Sequence, residues 1–181
     1  MLNVTLPTNT LAPGEYTITI TIPESTNYNN ATIIQNLNIT KRSIANITLD
    51  DMNITSMTNE TLYLIINDTK GNQLIGNTEV CIKINRKTQI KTQITDGILN
   101  ITIPTDTFKN PTYHMLIILG SNTNYNMGTI TQTINIQKRN TTIQIETNTP
   151  KTLENLIVNV TITQDDKTPV NGGFVIFKSV E

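Results

Sequence analysis

Apolar and polar residues alternate along most of this chain, as in Leu99-Asn100-Ile101-Thr102-Ile103 and Tyr16-Thr17-Ile18-Thr19-Ile20. A period of two places alternate side chains on opposite faces of an extended backbone, so the pattern predicts half-buried β-strands rather than helices. Between residues 43 and 139 it predicts seven strands, near 44–49, 61–67, 79–84, 88–94, 98–103, 112–119 and 129–138. Val80, Ile82 and Ile84 share the inward face of the third, which leaves Cys81 and Lys83 outward. Leu99, Ile101 and Ile103 face inward on the fifth. Tyr113, Met115, Ile117 and Leu119 do so on the sixth, with His114, Leu116 and Ile118 opposite.

The same pattern recurs. A shift of 97 residues lays Leu2–Thr8 (LNVTLPT) on Leu99–Thr105 (LNITIPT), Tyr16 on Tyr113, Thr26–Asn29 on Thr123–Asn126, and Lys41-Arg42 on Lys138-Arg139. A weaker match sets Glu60 and Leu62 on Glu154 and Leu156, and Val80 and Lys83 on Val175 and Lys178, with the shift drifting from 94 to 95. Repeats fix boundaries directly. Residues 1–42 read as the late part of one unit, 43–139 as a complete unit, and 140–181 as the early part of another.

A unit of about 97 residues with about seven short strands fits an immunoglobulin-like β-sandwich, so the expected fold is an all-β array of such repeats. In the first copy Leu2, Val4 and Leu6, and then Tyr16, Ile18, Ile20 and Ile22, take the inward phase. Tyr16 and Tyr113 each open the penultimate strand of a copy, after Pro13-Gly14 and Asn110-Pro111. Two readings are open for them: a tyrosine corner, whose hydroxyl bonds back to the main chain, or a ring that caps the core edge.

The flanking pieces, 42 residues each, sit near the length below which an unstapled chain seldom folds alone. They are expected to expose apolar faces and strand edges. On one unit frame they complement each other, lacking only the counterpart of residues 85–97, which allows head-to-tail association between chains.

Composition supports the strand assignment. Thr, Ile and Asn make up 88 of 181 residues, and β-branched side chains with turn-forming Asn disfavour helix. A net charge of −1 gives no field directed at nucleic acid or an anionic membrane. No run approaches the roughly 18 apolar residues of a membrane span. Met1 is followed at once by strand-like sequence, so the chain as written carries no export signal and reads as a slice of something longer.

Candidate chemistry is sparse. Cys81 is the only cysteine and His114 the only histidine, which removes an intramolecular disulfide and a His-pair metal site and leaves any nucleophile no partner beyond this one imidazole. The adjacent carboxylates Asp50-Asp51 and Asp165-Asp166 fall at non-equivalent places, which argues against a shared calcium site. No cofactor, metal or catalysis is expected. Candidate N-glycosylation acceptors are numerous: Asn3, Asn30, Asn38, Asn46, Asn53, Asn59, Asn67, Asn100, Asn140 and Asn159 each precede Thr at plus two. Strand alternation generates some of these automatically. His114, Leu116 and Ile118 replace Thr17, Thr19 and Thr21 of the first copy, and so form a candidate interaction patch unless a neighbouring domain or loop covers them.

The motifs LNITIPT, PGEYTITI, SNTNYN and ESTNYN, the strand ends INIQKR and LNITKR, and NGGFVIF resemble the Ig-like repeat domains of archaeal, methanogen-type adhesin-like surface proteins, and more distantly bacterial Ig-like adhesin repeats. The resemblance implies tandem arrays, extracellular display at the cell surface, and cell adhesion or wall association. It leaves the ligand, a surface protein or a glycan, unspecified. The expected function is a non-catalytic stalk or spacer with a share in adhesion. A carbohydrate-binding module is the alternative, though five Tyr and three Phe offer few aromatic platforms; a non-functional truncated remnant of a surface-protein gene is another.

Overall fold

A computed structural model describes residues 3–109 and 111–178. The fold is all-β: strands form three sheets, and a single 3-10 turn at Thr105–Thr107 interrupts them among the described residues. The largest sheet contains β3 (Ile47–Thr48), β4 (Met52–Thr55), β5 (Glu60–Ile65), β6 (Asn77–Ile84), β7 (Lys87–Thr95), β8 (Ile98–Ile103), β9 (Thr112–Leu119) and β10 (Gly128–Gln137). Its order is β3-β10-β9-β6-β7-β8-β5, with β4 also beside β10. β3 and β4 run parallel to β10, and every other pair is antiparallel.

β7 and β8 share only the Thr95–Ile98 pair, so the sheet is almost split there. The two parts nevertheless bury their apolar faces in one core. Leu62, Leu99 and Ile103 from β5 and β8 join Val80, Ile82, Met115, Ile117, Leu119, Ile130 and Ile134 from β6, β9 and β10. Each such side chain, once buried, contributes about 1.5–3 kcal/mol by leaving water. That core fixes the register of its strands, because a slip of one residue would turn every inward side chain outward.

Six of the seven expected strands lie within two residues of their predicted bounds. The exception is 44–49. Ile44 bridges antiparallel to Asp68, and the chain then crosses to β10 as two short strands. Met52-Asn53-Ile54-Thr55 alternates over only four residues and out of phase with Ile47 and Leu49, and tertiary pairing makes it a strand. Across the break, the Leu49 N–H donates to the Thr131 carbonyl and the Gln132 amide donates to the Asp50 carbonyl.

The flanks are hairpins. β1 (Gly14–Ile22) pairs with β2 (Ala31–Ile39), and β11 (Thr141–Thr147) with β12 (Val158–Gln164). The β1–β2 register is that of β9–β10 moved by 97 residues: Ile22 faces Ala31 as Leu119 faces Gly128, and Ile20 faces Ile33 as Ile117 faces Ile130. Burial differs sharply. Ile117 and Leu119 are 0% exposed, whereas Ile20 and Ile22 are 54% and 60% exposed. The expectation that Ile20 and Ile22 point into a core is therefore corrected: their alternation is right, but among the described residues no second layer lies against them. Val4 and Leu6 are also exposed and outside any strand, since among the described residues nothing plays the part that β5 plays for β8. Leu2 and Asn110 lie outside the described residues.

Candidate functional site

β9 carries the candidate patch. Its outward residues are His114, exposed, with Leu116 and Ile118 half-buried. Leu116 lies between Lys83 of β6 and Thr131 of β10, and Ile118 between Cys81 and Thr129. Thr48, Leu49, Asp51 and Arg86 wall an open groove of about 600 Å³ over Leu116. The partial cover thus comes from β3, the segment after it and the Arg86 turn. The His114 main chain is held by Asn85, whose side-chain oxygen accepts the His114 N–H at 2.9 Å. Cys81 is half-buried, with its Sγ 3.9 Å from the Thr88 hydroxyl.

Both candidate corner tyrosines meet main chain four residues upstream. The Tyr16 hydroxyl donates to the Ala12 carbonyl at 2.8 Å, whereas the Tyr113 hydroxyl accepts the Lys109 N–H at 2.8 Å. Tyr113 also stacks on Phe108, with ring centroids 4.1 Å apart. Of the sequon asparagines, Asn3, Asn30, Asn38, Asn46, Asn53, Asn59, Asn100, Asn140 and Asn159 are exposed, and Asn67 is half-buried. Asn46 and Asn59 accept main-chain N–H bonds from Thr129 and Asp106, so modification there would have to keep or replace a loop contact.

The structure adds a feature that pattern reading missed, at the two Lys-Arg junctions. Arg42 docks by its main chain into the 122–126 loop: its N–H donates to the Asn124 carbonyl and its own carbonyl accepts the Asn126 N–H. Lys41 donates to the Asn122 carbonyl at 2.6 Å. The Arg42 guanidinium pairs with Asp68 at 2.8 Å, and that carboxylate is 1% exposed. At the other end, Arg139 donates to the Ser56 carbonyl and pairs with both Asp165 and Asp166 at 2.8 Å. Arg139 follows Arg42 by 97 residues, but the turns that hold their partners recur at 96, so Gln164 takes the place of Asp68, and Asp165 and Asp166 those of Thr69 and Lys70. Each junction arginine therefore ties the end of one strand-rich segment to an acidic turn in the next. The turn also recurs: the bonds Leu74 to Ile66, Asp68 to Asn72 and Gly71 to Asp68 reappear as Val170 to Ile162, Gln164 to Thr168 and Lys167 to Gln164. The signal available in sequence was the recurrence of Lys-Arg, followed each time by an aspartate 26 positions after the arginine.

A buried carboxylate needs partners. Burial by itself raises the Asp68 pKa, but the Asn72 N–H, the Arg42 guanidinium, the Asn72 amide and the Lys70 N–H outweigh it and hold the group at about 2, against an ordinary 3.8. The Thr168 hydroxyl and N–H lower Asp166 against burial, and Arg139 lowers it further. Because the folded pKa of Asp68 lies below the unfolded one, its stabilising share is complete above pH 3.8, declines below that, and is gone once the pH passes about 2. We expect Asp68→Asn to flatten the loss of stability across that window in urea titrations run at several pH values. An unchanged slope would show that other carboxylates govern acid unfolding.

Among the described residues, no group of three or more His, Cys, Asp or Glu converges, and no helix is long and apolar enough to cross a membrane. Comparison with known protein families and with characterised proteins finds no match.

Proposed function

We propose that this chain is a non-catalytic stretch of Ig-like repeats from a cell-surface, adhesin-like protein. In this reading the repeats act as a stalk or spacer, with adhesion on the outer face of β9. Residues 43–139 form the complete unit, and 1–42 and 140–181 are part-units. The strand order, the parallel run of β3 and β4 along β10, and one core shared by both ends of the sheet support an immunoglobulin-like sandwich. Exposed sequons would let added glycans coat the surface without disturbing that core.

The observation that carries the spacer reading is that Arg42 and Arg139, 97 residues apart, each pair with aspartates of the turn that follows. A stalk needs joints that resist bending, and a guanidinium bonded to two carboxylates and a carbonyl constrains direction as well as distance. Spin labels at Lys91→Cys and Thr161→Cys, in a Cys81→Ser background, should give a narrow distance distribution that broadens on Arg139→Ala. A distribution already broad with Arg139 present would remove the spacer reading.

For the adhesive face, Leu116→Thr together with Ile118→Thr should leave the unfolding midpoint near that of the parent. The pair should abolish retention on whichever surface of a glycan and whole-cell panel holds the parent chain. Retention indifferent to both substitutions would take the face out of the proposal.

A further inference from the structure

We propose that the outer face of β6, β7 and β9 takes a linear anionic polysaccharide, one whose sugar rings carry carboxylates or sulfates. This rests on the adhesive-face reading above and names the chemical class of its ligand.

The chain as a whole carries a net charge of −1, yet its charges are segregated. From Val80 to Thr95, which covers most of the β6–β7 hairpin, the sequence holds Lys83, Arg86, Lys87 and Lys91 and no carboxylate. Arg42 and Arg139 pair with aspartates, whereas none of these four makes an ion pair or a side-chain hydrogen bond among the described residues. Arg86, Lys87 and Lys91 are exposed and Lys83 is half-buried. An anion can therefore meet them without first breaking a native contact.

Two of the four stand at grooves. Arg86 walls the groove of about 600 Å³ over Leu116. A second open groove, of about 580 Å³, lies over Ile118, with Lys91, Cys81 and Gln93 along it. Lys83 lies opposite Leu116 across β6 and β9, and Cys81 lies between Ile118 and Lys91. Leu116 and Ile118 are successive outward residues of β9, about 7 Å apart, so the two grooves follow one another along the strand. An extended ligand spans both, and a single small anion fills one.

The rest of the lining selects the class. Thr131 and Thr133 at the first groove, and Thr92 and Gln93 at the second, suit sugar hydroxyls. Asp51 and Glu79, one at each groove, accept hydroxyl protons and repel a phosphate backbone that has none to give. No Tyr, Phe or Trp lines either groove among the described residues, which removes the stacking platform that single-stranded nucleic acid uses. A neutral sugar lacks that platform too, so charge has to supply the hold, and a guanidinium meets a carboxylate or sulfate with paired N–H donors. Leu116 and Ile118 are half-buried at the groove floors, whereas docking on an anionic bilayer needs apolar side chains that project.

The test passes the whole chain over immobilised polygalacturonate, dextran sulfate and neutral dextran. A polyanion should retain the chain and dextran should not, with retention weakened about tenfold at a salt concentration that shortens the Debye length to about 3 Å. Arg86→Gln with Lys91→Gln should weaken it about tenfold through the loss of two charge-assisted contacts. Lys70→Gln with Lys109→Gln, the same change of charge on exposed lysines elsewhere, should leave it within about twofold. Both pairs should keep the parent's unfolding midpoint. Retention on neither polyanion, dextran held as well as the polyanions, an equal loss from the control pair, or tighter binding to polyglutamate, DNA or anionic vesicles would overturn the proposal. Whole-cell retention that responds to Leu116→Thr with Ile118→Thr but not to Arg86→Gln with Lys91→Gln would sink the anionic class and leave the adhesive face standing. Polyanion binding by a chain that no cell surface retains would do the reverse.

Discussion

Ile117→Ala is expected to cost the largest sheet and its core about 2–5 kcal/mol, because it removes a fully buried side chain and leaves a cavity that its neighbours fill only in part. Ile20→Ala, the same change at the equivalent register position, is expected to fall within about 0.5 kcal/mol in dilute protein, as for other surface substitutions. Urea unfolding of the two variants measures both. Equal losses would mean that the β1–β2 hairpin is packed against something the central unit supplies. The contrast separates strand formation, which alternation encodes locally, from burial, which needs an opposing layer.

Gly97→Ala should be the second large effect, about 2–4 kcal/mol, combining a left-handed backbone with overpacking. Gly97 turns the chain from β7 into β8 at φ +69°, after Asp96 at φ +50°. Its carbonyl accepts the Ile66 N–H, and an added Cβ would lie 2.7 Å from the Ile66 carbonyl oxygen and 3.1 Å from the Leu74 Cβ. This corner is where the sheet passes from one part to the other, so a displacement there pulls β8 and β5 from the core. Gly71→Ala is the control. Its φ is +84°, but nothing lies within 4 Å of an added Cβ, so only the conformational strain of about 1–2 kcal/mol applies. Similar losses at both glycines, by thermal or urea unfolding, would show that close packing at Gly97 is not limiting.

Much of the central sheet was legible because its strands obey one rule. Val80, Ile82 and Ile84, and Met115, Ile117 and Leu119, announce their inward face by alternation, and the structure buries all six. The candidate patch was legible for the same reason: His114, Leu116 and Ile118 are the residues that alternation excludes from the core. The break at 49–51 was not, because the register along β10 slips by one residue there, from Ile47 opposite Ile130 to Met52 opposite Ile134, and the apolar phase shifts with it. Nor were the junctions, where Arg42 meets Asp68 across 26 positions and Arg139 meets Asp165 across 26. An ion pair leaves no period in sequence; it depends on where two turns arrive in space.

By itself, then, the sequence determined that the chain is all-β, which residues of each strand share a face, and how far apart equivalent residues recur. All three follow from side-chain branching and the two-residue strand period, which act within a few residues of chain. The tertiary structure alone decided which strands find partners, which apolar faces become a core, and which charged groups pair. Those outcomes depend on surfaces brought together from distant positions: Ile20 and Ile117 carry the same local instructions, and only Ile117 has another layer above it.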